Sequence, residues 1–265
     1  MSFQPLVPLG GYAGWNFLSR TLVRQQEAFA QSSEVKRAET YFRENIAKAK
    51  TPDDLLNDRR LLEVSLKAFG LEEDINAKAL LRKVLEGGTI KSDALASRLS
   101  DKRYAQFAFA FGYGNLGARV ANRGFADEIL TKFKAKSFEA AVGEQDDNLR
   151  MALNFDGAMA NITQGSASDK AQWFLMMGDA PLRKMFETAL GLPSSFGALD
   201  IDRQLVEFKS RAQSTFGTDK LSEIAKPESR EKMIRLFMVR QELAAGSSGY
   251  SSGQMALSLL QGING

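Results

Sequence analysis

The chain has 265 residues and contains neither cysteine nor histidine. Disulfides are thereby excluded, and the thiolate and imidazole ligands of zinc, copper and iron–sulfur sites are missing. Cys–His and Ser–His nucleophilic machinery is excluded as well, so a general base would have to be a carboxylate, a lysine or a tyrosine. No stretch reaches the roughly 20 consecutive apolar residues of a membrane-spanning helix. The first residues, Met-Ser-Phe-Gln-Pro-Leu-Val-Pro, carry no basic segment, and Pro5 and Pro8 interrupt their apolar run. A classical cleavable signal peptide is not expected, and standard secretion is therefore not expected either. Charge of one sign is also scarce: 35 basic against 32 acidic residues leave a net +3, spread along the chain. Without a Lys/Arg stripe, nucleic-acid binding is not expected.

What is present is ordinary globular usage, 44% hydrophobic and 25% charged, patterned for helices. Thr51-Pro52-Asp53-Asp54 sets a capping hydroxyl, a first-turn proline and two carboxylates at a helix start, and Leu55, Leu62, Leu66 and Phe69 recur on one face before Gly70. Helices are predicted from Ile75 to Glu86, after Ser100-Asp101 through Phe111, and over Phe125–Val142, Asp147–Ile162, Asp169–Leu190, Ile201–Phe216 and Pro227–Leu243. Strand signals are nearly absent, and the expected class is all-α.

The pattern also repeats. Leu61 through Gly70-Leu71 matches Leu182 through Gly191-Leu192 at an offset of 121. After an insertion around Pro193 to Gly197 the offset becomes 126, pairing Asp74-Ile75 with Asp200-Ile201 and Phe111 with Phe237. A pseudo-duplicated multi-helix bundle is expected, in four parts. Residues 1–32 form a loose leader and an amphipathic helix, 33–123 a first repeat, 124–243 a second, and 244–265 a Ser/Gly linker with a short apolar helix.

One motif argues for chemistry. Gly112-Tyr113-Gly114-Asn115-Leu116-Gly117 is a literal G-x-G-x-x-G, preceded by the alternating Phe107 to Phe111. A dinucleotide fold would need a second apolar strand ending in an acidic residue about 20 positions on. The corresponding stretch, Glu128 to Glu144, is Lys-rich and helical in pattern. The glycines are therefore expected to break the chain between two helices, with nucleotide binding through Gly112–Gly117 as the alternative. Asp53, Asp54 and Asp58, or Glu72, Glu73 and Asp74, sit at helix starts, where the macrodipole accounts for carboxylates without a metal. No catalytic, cofactor or metal residue is assigned.

The ends differ from the middle. Trp15, Leu18, Leu22 and Phe29 form a helical face, and Met255, Leu259 and Leu260 share one side of a short helix beyond the Ser/Gly stretch. Trp15, Leu18, Leu22, Met255, Leu259 and Leu260 are the candidate partner-binding residues, because an apolar helix on a tether suits a protein partner or a second copy of the chain.

Tyr41-Phe42-Arg43-Glu44-Asn45-Ile46, Lys50-Thr51-Pro52-Asp53-Asp54-Leu55-Leu56, Lys67-Ala68-Phe69-Gly70-Leu71-Glu72, Arg82 through Gly88 and Ala96 through Tyr104 together resemble the family designated domain of unknown function number 1217. The resemblance is strongest from about Glu34 to Tyr113. Its members are encoded among flagellar genes of swimming bacteria, so it implies a flagellar context and assigns no reaction. The expected role is non-enzymatic, through contacts with flagellar proteins in assembly, structure or regulation, and the expected location is cytoplasmic or flagellum-associated.

Overall fold

Polar side chains that open helices and glycines that close them cut the chain into short segments. The computed structural model describes residues 3–91 and 93–249. Among the described residues there are fourteen α-helices and no strand. In order they are α1 (Gly11–Ala30), α2 (Ser33–Asn45), α3 (Pro52–Asn57), α4 (Arg59–Lys67), α5 (Lys78–Gly87), α6 (Leu95–Arg98) and α7 (Arg103–Phe111). There follow α8 (Phe125–Gly143), α9 (Asp147–Thr163), α10 (Asp169–Gly178), α11 (Ala180–Leu190), α12 (Ile201–Phe216), α13 (Leu221–Ile224) and α14 (Pro227–Gly249). The all-α class holds. The chain divides into two compact units, one from residues up to Val7 and Leu18–Gln145, the other from Pro8–Phe17 and residues from Asp146 on.

In the first unit α2, α4 and α8 pack on one another, and α5 lies between α3 and α7. Thr51 and Asp54 form a reciprocal capping box at the start of α3, with Pro52 in the first turn. Asp58 then closes α3 and caps α4 through the amides of Arg60 and Leu61. The predicted single helix from Leu55 to Phe69 is therefore two, because one aspartate offers the chain a better hydrogen-bonded start than a continued turn. A chain of rings fills the interior. Phe69 meets Phe107 at 5.6 Å, Phe107 meets Phe111 at 4.9 Å, and Phe111 meets Phe125 at 5.2 Å, the first and last edge to face. Burying such a side chain stabilises by about 1.5–3 kcal/mol. Because α8 packs on α2 and α4, the boundary between units falls after Gln145, whereas the sequence division placed α8 with the second repeat.

The leader is also more ordered than expected. Leu6 exchanges two hydrogen bonds with the buried Gln25 side chain, its N–H to Oε1 at 2.7 Å and its carbonyl from Nε2 at 3.1 Å. Pro5 is buried, its carbonyl accepts from Gln145 at 2.7 Å, and Phe3 stands edge-on to Phe29.

The second unit is organised around α11, which packs against α9, α10, α12 and most extensively α14. Asp179 caps α11, with a proline in its first turn, and so splits the predicted Asp169–Leu190 helix into two. Trp173 is fully enclosed, with Phe186 at 5.8 Å and Phe208 at 5.9 Å, and its indole N–H donates to the Asp219 carbonyl at 2.9 Å. The final helix, α14, runs to Gly249 and so takes in the first part of the expected Ser/Gly linker. The expected duplication is not confirmed: Asp58 and Asp179 cap α4 and α11 alike, but α5 lacks the side-chain cap that Asp200 gives α12, and α7 packs on α5 whereas its sequence counterpart α14 lies along α11.

Candidate functional site

The helical face at the N-terminus forms as predicted, but it is not presented to a partner. Trp15 and Leu18 are fully buried and Leu22 is half-buried in α1. The Arg230 guanidinium lies 6.0 Å from the Trp15 ring centre, and Tyr12 three residues earlier donates to Glu231 at 3.1 Å. The physical reason is plain: an apolar stripe signals that something covers it, and here the chain's own helices do. Met255, Leu259 and Leu260 lie outside the described residues.

The glycine run ends α7 and has no strand leading into it, since Phe107 to Phe111 are helical. Gly112 adopts the left-handed conformation that closes the helix, and the loop turns back so that the Arg119 amide reaches the Phe111 carbonyl at 2.9 Å. Its glycines serve close packing between two loops. A Cβ on Gly114 would stand 2.3 Å from the Glu86 carbonyl oxygen and from the Gly88 nitrogen, so only glycine lets the two backbones touch. Asn115 locks the pair: its Oδ1 accepts from the Thr89 amide at 2.7 Å and its Nδ2 donates to Thr89 Oγ1 at 3.2 Å. Tyr113 fixes the loop from below by donating to the Ala49 carbonyl at 2.6 Å, and burial pushes its pKa well above the ordinary tyrosine value. Immediately beyond the locked pair, Ile90 and Leu116 point outward, 65% and 97% exposed.

The second feature is a groove in the second unit. The insertion that shifts the sequence offset forms a 3-10 turn, Ser194–Ala198, which stands off from the start of α12. Between them lies a cavity of about 610 Å³ lined mainly by apolar side chains, Leu192, Pro193, Phe196, Leu199 and Val206. Phe196 is buried beneath it, stacked edge-on against Phe208 at 4.8 Å, while Leu199 and Val206 are exposed. Asp202, Arg203, Glu207 and Arg211 form a rim of balanced charge, with Arg211 paired to Glu207 at 2.8 Å.

A cavity of about 420 Å³ in the first unit has walls of mixed apolar and polar side chains, and two of its polar atoms, Glu72 Oε2 and Ser137 Oγ, are buried without a hydrogen-bond partner. Lys67 pairs with Glu63, Lys136 with Glu139, and Arg60 lies 3.7 Å over the Tyr41 ring. Among the described residues no group of three or more carboxylates gathers as a metal site, and no helix is long and apolar enough to cross a membrane. The glycines of the Gly112–Gly117 loop are legible in the sequence, whereas the groove and the exposed Ile90 and Leu116 depend on contacts between distant segments and are not.

An all-α protein of two helical units, with caps and glycine stops at these positions, defines the class. Residues 68–229 match the family described as protein of unknown function (DUF1217), and the chain belongs to that family. No curated protein matches it. The crystal structure of protein AGR_C_984 from Agrobacterium tumefaciens is similar over 91% of this chain and 99% of that one, with 26% identity and a TM-score of 0.72.

Proposed function

We propose that this is a non-enzymatic protein of the bacterial flagellar system that works by binding other proteins, in assembly, structure or regulation. The flagellar setting rests on what the family resemblance implies. The observation that carries the binding role is the groove beside α12, where Leu199 and Val206 stay exposed over the buried Phe196. Apolar concavities with a polar rim are the usual seat of a partner's side chains, and solvent gains nothing from this one. An apolar segment of a flagellar protein is the expected occupant.

The test is capture of partners from motile cells by the full chain and by Val206→Asp, read by mass spectrometry. Val206 is 68% exposed, so its replacement should leave the fold unchanged. The proposal expects a flagellar protein retained by the wild type and lost by the variant. An identical set of captured proteins would count against the groove. A rise in melting temperature with a nucleotide and Mg²⁺ would count against the whole reading in favour of nucleotide binding, because a specific ligand in excess must stabilise the folded state.

A further inference from the structure

We propose that the cavity of the first unit is a binding site for a small organic cation, an ammonium group on a short apolar body, with Glu72 and Ser137 receiving the head. The site belongs to the first unit and is independent of the groove, which belongs to the second. Its sides come from α2, α4 and α8, which pack on one another, with Glu72 added from the 3-10 turn Glu72–Asn76 and Phe3 and Gln4 from the leader. The volume of about 420 Å³ lies within the ordinary range of small-molecule pockets. Glu72 Oε2 and Ser137 Oγ, both in its walls, are buried without a hydrogen-bond partner. Nearly every buried polar atom of a folded protein finds a partner, so two orphans lining one cavity point to a guest that brings the missing bonds.

The residue types select that guest. A carboxylate oxygen only accepts, so the guest must donate to Glu72. Of the carboxylates in the wall, Glu34, Glu63 and Glu144 are exposed to water, and Glu72 is half-buried. The wall's own cations are engaged elsewhere: Lys67 pairs with Glu63 at 3.3 Å, Lys136 with Glu139 at 2.7 Å, Arg60 lies 3.7 Å over the Tyr41 ring, and Arg37 is exposed. A charged donor bonds a carboxylate roughly twice as strongly as a neutral one, and an ammonium carries three N–H groups, enough for both orphans. An anionic guest would meet the Glu72 oxygen as a like charge. The rest of the wall fits an apolar body, since Phe29, Val35, Val64 and Phe133 are buried there and Ala140 is half-buried.

The test titrates the full chain by calorimetry at neutral pH with three probes that share one body and differ in the head: phenethylammonium, phenethyl alcohol and 3-phenylpropionate. Phenethylammonium should bind saturably below about 10 mM and raise the melting temperature, while the alcohol binds more weakly and the carboxylate not at all. Glu72→Gln keeps the shape but removes the charge, and should weaken phenethylammonium about tenfold or more. Without a probe it should melt no lower than the wild type, because the oxygen it alters has no partner to lose. Ser137→Ala removes only an unpartnered hydroxyl and should weaken binding roughly threefold. It carries the test if Glu72→Gln melts lower. The proposal is overturned if phenethylammonium does not saturate, if either other probe binds as tightly, or if the variants bind it like the wild type.

Discussion

Asp58 and Asp179 hold nearly the same backbone angles, φ −92°, ψ 98° and φ −91°, ψ 104°, and each closes one helix while capping the next. The likeness extends to the glycines that follow. Gly70 and Gly191 sit at φ 69° and 66°, and at each the next leucine's amide bonds five residues back, Leu71 to Leu66 and Leu192 to Glu187. This double closure satisfies helix-end carbonyls that would otherwise lack partners. The resemblance between the halves is thus strongest in local geometry, while the last helix of each half takes a different neighbour.

Replacing either aspartate by alanine removes the cap from its helix. Asp58→Ala and Asp179→Ala should each lower unfolding free energy by about 1 kcal/mol, while Asp179→Asn should cost much less, because asparagine caps nearly as well. Urea unfolding midpoints read the difference. An Asp179→Ala midpoint equal to the wild type would mean that Pro181 alone starts α11.

A glycine-to-alanine pair should move stability in opposite directions. Gly157 lies exposed within α9 with nothing near the position of a Cβ, so Gly157→Ala should stabilise by roughly 0.5–1 kcal/mol. Gly114→Ala would press a methyl group against the Glu86 and Gly88 backbone and should destabilise by about 1–3 kcal/mol or more. Thermal melts decide it. Equal shifts for the two would show that the loop pair separates at little cost.

These residues also show what the sequence made legible. Gly70 and Gly191 were readable as helix stops because a glycine after a periodic apolar run has a single common use. The breaks at Asp58 and Asp179 are hidden from periodicity, since an amphipathic pattern survives a one-residue cap when both flanking helices bury the same side. Asp179-Ala180-Pro181 did carry a signal, a capping side chain followed by a first-turn proline. Trp15 and Leu18 were readable as a buried face, but periodicity does not say whether the covering surface belongs to the same chain. The contact of Gly88 with Gly114 and the groove under the 3-10 turn arise only when distant segments meet, so no local pattern announces them.

Alkaline pH should weaken the first unit through its tyrosines. Burial, then the hydrogen bond donated to Asp74 at 2.8 Å and that carboxylate's charge, raise the Tyr104 pKa from its ordinary 10.0 to about 12. A pKa raised by folding means that the folded state holds the proton more tightly. Its contribution is complete below pH 10 and is lost as pH rises toward 12. Tyr113 is shifted in the same direction by burial and by Asp54. Stability measured in urea should therefore fall between pH 10 and 12, and less steeply in Tyr104→Phe. Identical slopes for wild type and variant would remove Tyr104 from this account.

Gln25 should prove to be the anchor of the leader. Its side-chain amide, 8% exposed, meets both the N–H and the carbonyl of Leu6 and also donates to Thr21 Oγ1 at 2.8 Å, much as a neighbouring strand would pair with an extended residue. Gln25→Ala removes both bonds to the leader, a loss of roughly 1–3 kcal/mol at the usual net value per hydrogen bond. Leu6 is itself 60% exposed, so its freed backbone groups can turn to water and the leader can lift without unfolding the helices beneath. Hydrogen exchange separates these contributions. The Leu6 amide should exchange at least tenfold faster in Gln25→Ala, while amides in the middle of α8 keep their protection. If Leu6 exchange is unchanged, burial of Pro5, its bond from Gln145 and the packing of Phe3 on Phe29 hold the leader, and Gln25 is not its anchor.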